Sequence, residues 1–175
     1  SNLLGTQNVI ELIKDIPKHK LVYTSSVATL GIENSGESNE NTNVKFEQMI
    51  GDYKKSKYLA EKIVMDYIKN KNLKGVIVNP STPIGSGDIK PTPTGKIVLQ
   101  MLQKKMPAYV ETGLNFVHVD DVAQGHFLAL EKGKNGEKYI LGGENMSLKS
   151  FLDLIADQAN VPKTNIKIPS KPLYP

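Results

Sequence analysis

Cysteine and tryptophan are both absent from the 175 residues. The first absence excludes a disulfide framework, a thiolate nucleophile and a Cys-ligated metal. Arginine is missing too, so all 22 basic residues are Lys. Bidentate readout of guanine or phosphate leans on guanidinium. The formal charge of +4 therefore reads as a solvated Lys-rich surface, with no nucleic-acid partner expected. The lysines are also scattered, with only Lys54-Lys55 and Lys104-Lys105 adjacent. No apolar run approaches the roughly 18–20 residues of a membrane span. None of the 14 glycines makes GxxGxxG or GxGxxG, the turn on which a dinucleotide pyrophosphate rests.

What remains is globular. Apolar residues make up 39% of the chain; glycine brings the fraction into the usual range of about 45–50%. At roughly 150 residues per domain, the length fits one domain or one and a fraction. The opening, Ser1–Ile16, reads as an amphipathic helix rather than a leader, and a cytoplasmic location is expected.

Apolar residues Leu3, Leu4, Val9, Ile10, Leu12, Ile13 and Ile16 predict a helix over 3–16, ended by Pro17. Leu21-Val22-Tyr23 predicts a buried strand. A polar loop follows at 31–46, then a long helix over 51–71 with Tyr58, Leu59, Ile63, Val64, Tyr67 and Ile68 as its apolar stripe. Gly75-Val76-Ile77-Val78 predicts a second strand, stopped by Asn79-Pro80. The Pro- and Gly-rich stretch 80–95 is expected to be irregular, followed by a helix over 95–105. Strands at 116–119 and 138–141 flank a helix that starts at Asp120-Asp121 and runs to 132. Ser147 caps a last helix, which runs to about 160. Helices alternating with short buried strands imply an α/β fold with a mainly parallel sheet.

Three Tyr-x-x-x-Lys pairs occur: Tyr53/Lys57, Tyr58/Lys62 and Tyr67/Lys71. About one is expected by chance at this composition, so context must choose. In a parallel α/β sheet ligands collect outside the carboxyl ends of the strands. A crossover helix runs antiparallel to its strands, so its N-terminus lies at that edge. Tyr53 is in the first turn of its helix, whereas Tyr67 lies about 21 Å further along at 1.5 Å per residue. Tyr58 falls on the apolar stripe and reads as core, as does Tyr23. Tyr53 is thus placed to meet Ser25-Ser26 and Asn79-Pro80 at the ends of two strands. A phenol near pKa 10 is a poor base, but an ammonium one turn away favours the phenolate. A serine hydroxyl can share the proton. Such a cluster is an acid/base station for a hydroxyl or carbonyl group, and it needs a hydride carrier that no side chain supplies.

Other polar residues take plainer readings. Asp120-Asp121 beside His118 reads as a helix start, with no metal expected. His126 is a packing or surface residue. Thr94-Gly95 at a helix start suits a phosphate, although an ordinary helix start explains it too.

At this point the chain resembles the extended short-chain dehydrogenase/reductases, the NAD-dependent epimerase/dehydratase group. The segments that carry the resemblance are TSSVATLG (24–31), YKKSK (53–57), VNPSTPIGSGDIKPTPTG (78–95), FVHVDDVAQGH (116–126) and YILGGEN (139–145). It is nearest to hopanoid-associated sugar epimerases and dihydroflavonol-reductase-like proteins. The resemblance implies Ser26, Tyr53 and Lys57 as the catalytic set, with Lys57 on the nicotinamide ribose. It implies Pro80 and Ser81 near the nicotinamide, and Ser26, Asn79 and Thr94 toward substrate. The cofactor would be NAD or NADP. The substrate would be a nucleotide sugar or related secondary alcohol, or a ketone in a dihydroflavonol-type, NADPH-dependent reductase. A non-catalytic nucleotide- or partner-binding relative is the reading from another class.

The resemblance further implies residues 1–85 as the second half of a Rossmann domain. Residues 86–175 would be partly a substrate lobe, with 115–145 returning to the sheet. A homodimer through helices 3–16 and 51–71 is expected. Because the family opens with a Gly-rich βα unit, the chain looks like an internal stretch of a protein of about 330 residues. On its own it is expected to be inactive.

Overall fold

The computed structural model describes residues 2–33, 37–42 and 44–169, so the polar loop expected at 31–46 is described only in part. Two compact units are formed, residues 1–81 with 120–141 and residues 82–119 with 142–175.

The first unit is a three-stranded parallel sheet in the order β1-β2-β6. Its strands are β1 (Leu21–Thr24), β2 (Gly75–Pro80) and β6 (Lys138–Leu141). Helix α1 (Asn2–Ile13) stops before the Ile16 that the periodicity suggests, and α2 (Asp52–Asn70) connects β1 to β2. Helix α4 (Val119–Lys132) precedes β6. Every residue of β2 is buried, because alternate side chains meet helices on opposite faces. Ile77 packs with Ile10, Val64, Ile68 and Leu73. Val76 and Val78 pack with Ala129. A strand covered on both faces has no polar side to show, which is why 75–78 reads as an unbroken apolar run.

The stripe read along 51–71 is narrower than its sequence pattern. Ala60, Glu61, Val64 and Ile68 are the buried positions of α2, while Leu59 is 36% exposed. Pro80 is tolerated at the end of β2 for a geometric reason. The Ile77 and Ser81 N–H groups donate toward β6, so the nitrogen of Pro80 faces the β1 side. There the ladder has already ended, at the bond from Ser25 N–H to Val78 C=O (2.8 Å). The C-terminus of α4 is held by Lys20, whose ammonium donates to the carbonyls of Ala129, Leu130 and Gly133 at 3.0, 2.5 and 2.9 Å. A cation there complements the helix dipole.

The second unit holds β3 (Thr82–Ile84), α3 (Pro93–Leu102), β4 (Ala108–Val110), β5 (Gly113–His118), β7 (Glu144–Ser147), α5 (Leu148–Ala159) and β8 (Ile166–Ile168). The strand orders are β3-β5-β7 and β4-β8. Met101, Leu152 and Ala156 form its core. Phe116 stacks on Phe151 with ring centroids 4.1 Å apart.

Two expectations are corrected here. The stretch 80–95 is not wholly irregular, since β3 forms within it and pairs with β5. For the same reason β5 does not return to the β1-β2-β6 sheet; only 120–141 belongs to that unit. Glycine is required at Gly143, where an added Cβ would lie 2.3 Å from the Phe116 carbonyl oxygen.

Candidate active site

The site residues of the first unit gather at the carboxyl ends of β1 and β2. Beyond Thr24 the chain turns through a short 3-10 segment, Val27–Thr29. The Ser26 hydroxyl oxygen caps that turn by accepting from the Ala28 N–H at 3.1 Å. Its own O–H has no acceptor among the described residues and can donate. Helix α2 starts just after Gly51, whose φ of +85° suits only glycine at low cost. Tyr53 lies in the first turn and is 59% exposed.

The three Tyr-Lys pairs behave differently. The Lys62 ammonium stays 5.1 Å over the ring of Tyr58, and that of Lys71 stays 4.1 Å over Tyr67. Both tyrosines donate their hydroxyls elsewhere, Tyr58 to the Val44 carbonyl at 3.2 Å and Tyr67 to the Glu11 carboxylate. Tyr58 is therefore half-buried at a loop rather than a core residue. Lys57 instead leaves its helix and donates to the Thr24 carbonyl at 3.1 Å, two residues from Ser26. Burial pushes the Lys57 ammonium below the ordinary lysine value, and the charge of Glu61 opposes that shift. Tyr23 beside it is raised, chiefly by burial.

Asn79 is fully buried. Its amide nitrogen donates to the Ser26 carbonyl (3.0 Å), Thr29 Oγ1 (3.2 Å) and Glu61 Oε2 (3.1 Å). Pro80 and Ser81 close β2. Asn79 Oδ1 and Ser81 Oγ are buried without a hydrogen-bond partner among the described residues. His126 accounts for itself structurally: its Nε2 pairs with Thr24 Oγ1 at 2.8 Å and its Nδ1 with the Val122 carbonyl at 2.7 Å.

Sequence reasoning missed Glu61. It is only 5% exposed and accepts from Ser25, Thr29 and Asn79 while pairing with Lys138. The available signal was spacing: Tyr53, Lys57 and Glu61 recur every fourth residue along one face of α2.

Thr94 lies in the second unit, half-buried in the first turn of α3. A cavity of about 620 Å³ in that unit is lined by Ile84, Asp88, Thr92, Gly95, Leu99 and Val119 among others, and not by Thr94. The phosphate reading of this helix start meets a local competitor. Thr92 Oγ1 already accepts from the Gly95 N–H at 3.1 Å. The Asp88 carboxylate receives the Thr92 N–H and hydroxyl at 3.0 and 2.9 Å. A phosphate would face a fixed negative charge there. No group of three His, Asp or Glu able to hold a metal occurs among the described residues.

The model of the NAD dependent epimerase/dehydratase family matches residues 1–142. The chain belongs to that family. It is 45% identical over 174 residues to a putative dihydroflavonol 4-reductase of Synechocystis, covering 97% of this chain and 50% of that protein. The crystal structure of gox2253 superposes with a TM-score of 0.95 at 51% identity, over 99% of this chain and 53% of that one. A dTDP-glucose 4,6-dehydratase of Bacillus anthracis, solved with NAD, gives a TM-score of 0.83 at 24% identity over 96% of this chain and 55% of that one. This last likeness bears on the α/β, Rossmann-like fold alone. The chain spans about half the length of the curated relatives it matches.

Proposed function

We propose that this chain carries the proton-transfer part of an NAD(P)-dependent enzyme that interconverts a secondary alcohol and a ketone. The observation that carries the reading is the divergence of the three Tyr-Lys pairs. Only Lys57 leaves its tyrosine to anchor on the strand end beside Ser26. Tyr53 takes the hydroxyl proton in the oxidative direction and returns it in the reductive one. Ser26, whose O–H has no acceptor among the described residues, donates to the substrate oxygen. Lys57 keeps two N–H donors beyond its bond to Thr24, which suit the hydroxyls of a ribose. The buried Ser81 Oγ beside Pro80, without a partner among the described residues, suits the polar end of a nicotinamide. NAD or NADP, when bound, supplies the hydride donor and acceptor. Asn79, buried with its amide nitrogen committed to the Ser26 turn, is read as holding that turn rather than touching substrate. Thr94 is left out of the proposed chemistry, because it does not line the cavity of its unit.

The 45% identity to a putative dihydroflavonol 4-reductase favours reduction of a ketone. The family match itself favours the second reading, epimerase or dehydratase action on a nucleotide sugar. The test uses the full-length protein with NADH or NADPH and three probes: an aryl ketone, an aliphatic ketone and a keto nucleotide sugar. With the best probe, Tyr53→Phe is expected to lower kcat by on the order of 10²–10⁴. Tyr58→Phe and Tyr67→Phe are expected to leave it nearly unchanged. Equal losses at all three would overturn the assignment, because the tyrosines would then matter through packing.

A further inference from the structure

Glu61 is a buried charge that the proton chemistry does not use. Its Oε2 receives the Ser25 hydroxyl, the Thr29 hydroxyl at 2.6 Å and the Asn79 amide at 3.1 Å. Its Oε1 receives the Lys138 ammonium at 2.5 Å. All four partners are donors, and a carboxylate is the side chain that accepts four without offering one. Three of these donors belong to the turn that carries Ser26 or to the residue that clamps it. Ser25 precedes Ser26, Thr29 ends the turn with its single hydroxyl proton shared between Glu61 and the Ser26 carbonyl 2.7 Å away, and Asn79 donates to that same carbonyl. Lys138 lies opposite Ile77 in the β2-β6 register, so the carboxylate is tied to the sheet as well.

We propose that Glu61 is a positioning residue of the site: from one helical turn past Lys57, its carboxylate fixes the Ser25–Thr29 turn and thereby the place of the Ser26 hydroxyl. The proposal rests on the reading of Ser26, Tyr53 and Lys57 given above for its catalytic consequence, but not for its structural test.

The rival explanation is an ion pair with Lys138 that serves stability alone. Removing one partner of a buried pair is destabilising whatever else it does, so single variants do not separate the two. Two double variants do. Glu61→Gln with Lys138→Met removes the ion pair but leaves an amide oxygen for the three donors. Glu61→Met with Lys138→Met removes the pair and the acceptor together. Hydrogen exchange at the Ala28, Thr29 and Leu30 amides is read in the full-length protein, with the Val64 amide as internal reference. The turn amides are expected to stay protected in the first double and to exchange at least about tenfold faster in the second, with Val64 little changed. The kcat measured with the ketone probe should follow the same order. Equal protection of the turn in both doubles would overturn the proposal.

A third variant, Ser25→Ala, keeps Glu61 and Lys138 and deletes one donor, so it reads the turn even if the Met double fails to fold. It should speed turn exchange several-fold; unchanged exchange would count against the proposal equally. Failure of the catalytic reading shows separately, as retained activity in Tyr53→Phe.

Discussion

At Lys57 two effects oppose. Burial, the larger, lowers its pKa from the ordinary 10.5, and the Glu61 carboxylate one turn away raises it back in part. The sign for stability follows from proton counting. Between the lowered folded value and 10.5, the unfolded chain still holds a proton that the folded chain has released. Stability from this group therefore rises with pH across that window, and the burial penalty is complete only below it. On the proposed function the sign for activity is opposite, since the hold on a ribose would use the ammonium. Carbon NMR of the ¹³C-methylated full-length protein should show Lys57 titrating below Lys14 and Lys163, whose ammoniums are held up by Glu11 and Asp157. Glu61→Gln should move Lys57 lower still. A Lys57 that titrates with those two would show that its side chain is not buried as described.

Among the elements, those with a helix on each side were legible from the sequence. Strand β2 is apolar from Val76 to Val78 because both of its faces are covered. The start of α2 was legible because a polar, Gly-containing stretch gives way to helical spacing. The short strands were not. Residues Ile166–Ile168 of β8 are all exposed, and β7 is a run of Glu144, Asn145, Met146 and Ser147 with one half-buried position. Neither carries a burial pattern for a periodicity argument to find. The partner of β5 was misread because an apolar strand states that it is buried, not against which neighbour. Glu61 escaped because a charge on an otherwise apolar face reads as a break in the pattern, when here it is a polar tie within the core. The distinction between covered and open positions is measurable. Ile77→Ala, at a site with no exposure, is expected to cost about 2–5 kcal/mol in denaturant unfolding. Ile32→Ala, at a site 91% exposed, should stay within about 0.5 kcal/mol. Similar costs at the two would contradict the packing described for β2.

On the scale of the whole molecule, the outer face of the α1-α2 pair is where the proposed dimer would form. Leu4, Val9 and Leu12 of α1 are 62, 50 and 76% exposed, although α1 packs closely on α2 through Ile10. A separate shallow groove between the two helices is lined by Leu3, Gln7, Leu59 and Ile63 together with charged Lys62, Asp66, Lys69 and Lys71. Three exposed apolar side chains on one short helix offer a face for a partner to cover. A second copy of the same face is self-complementary by symmetry, the commonest closed arrangement. The expected assembly is therefore an isologous dimer through α1 and α2. Leu12→Lys probes it cleanly. A cation in the last turn suits the helix dipole, so α1 itself should keep its stability. The dimer, however, loses two copies of Leu12, each worth about 1.5–3 kcal/mol if fully buried. That is enough to weaken association by on the order of a hundredfold or more. Sedimentation of the full-length protein should show a dimer for the wild type and a concentration-dependent monomer for Leu12→Lys, with matching far-UV circular dichroism. A wild-type protein that stays monomeric at high concentration would leave these helices as ordinary surface and remove the dimer from the account.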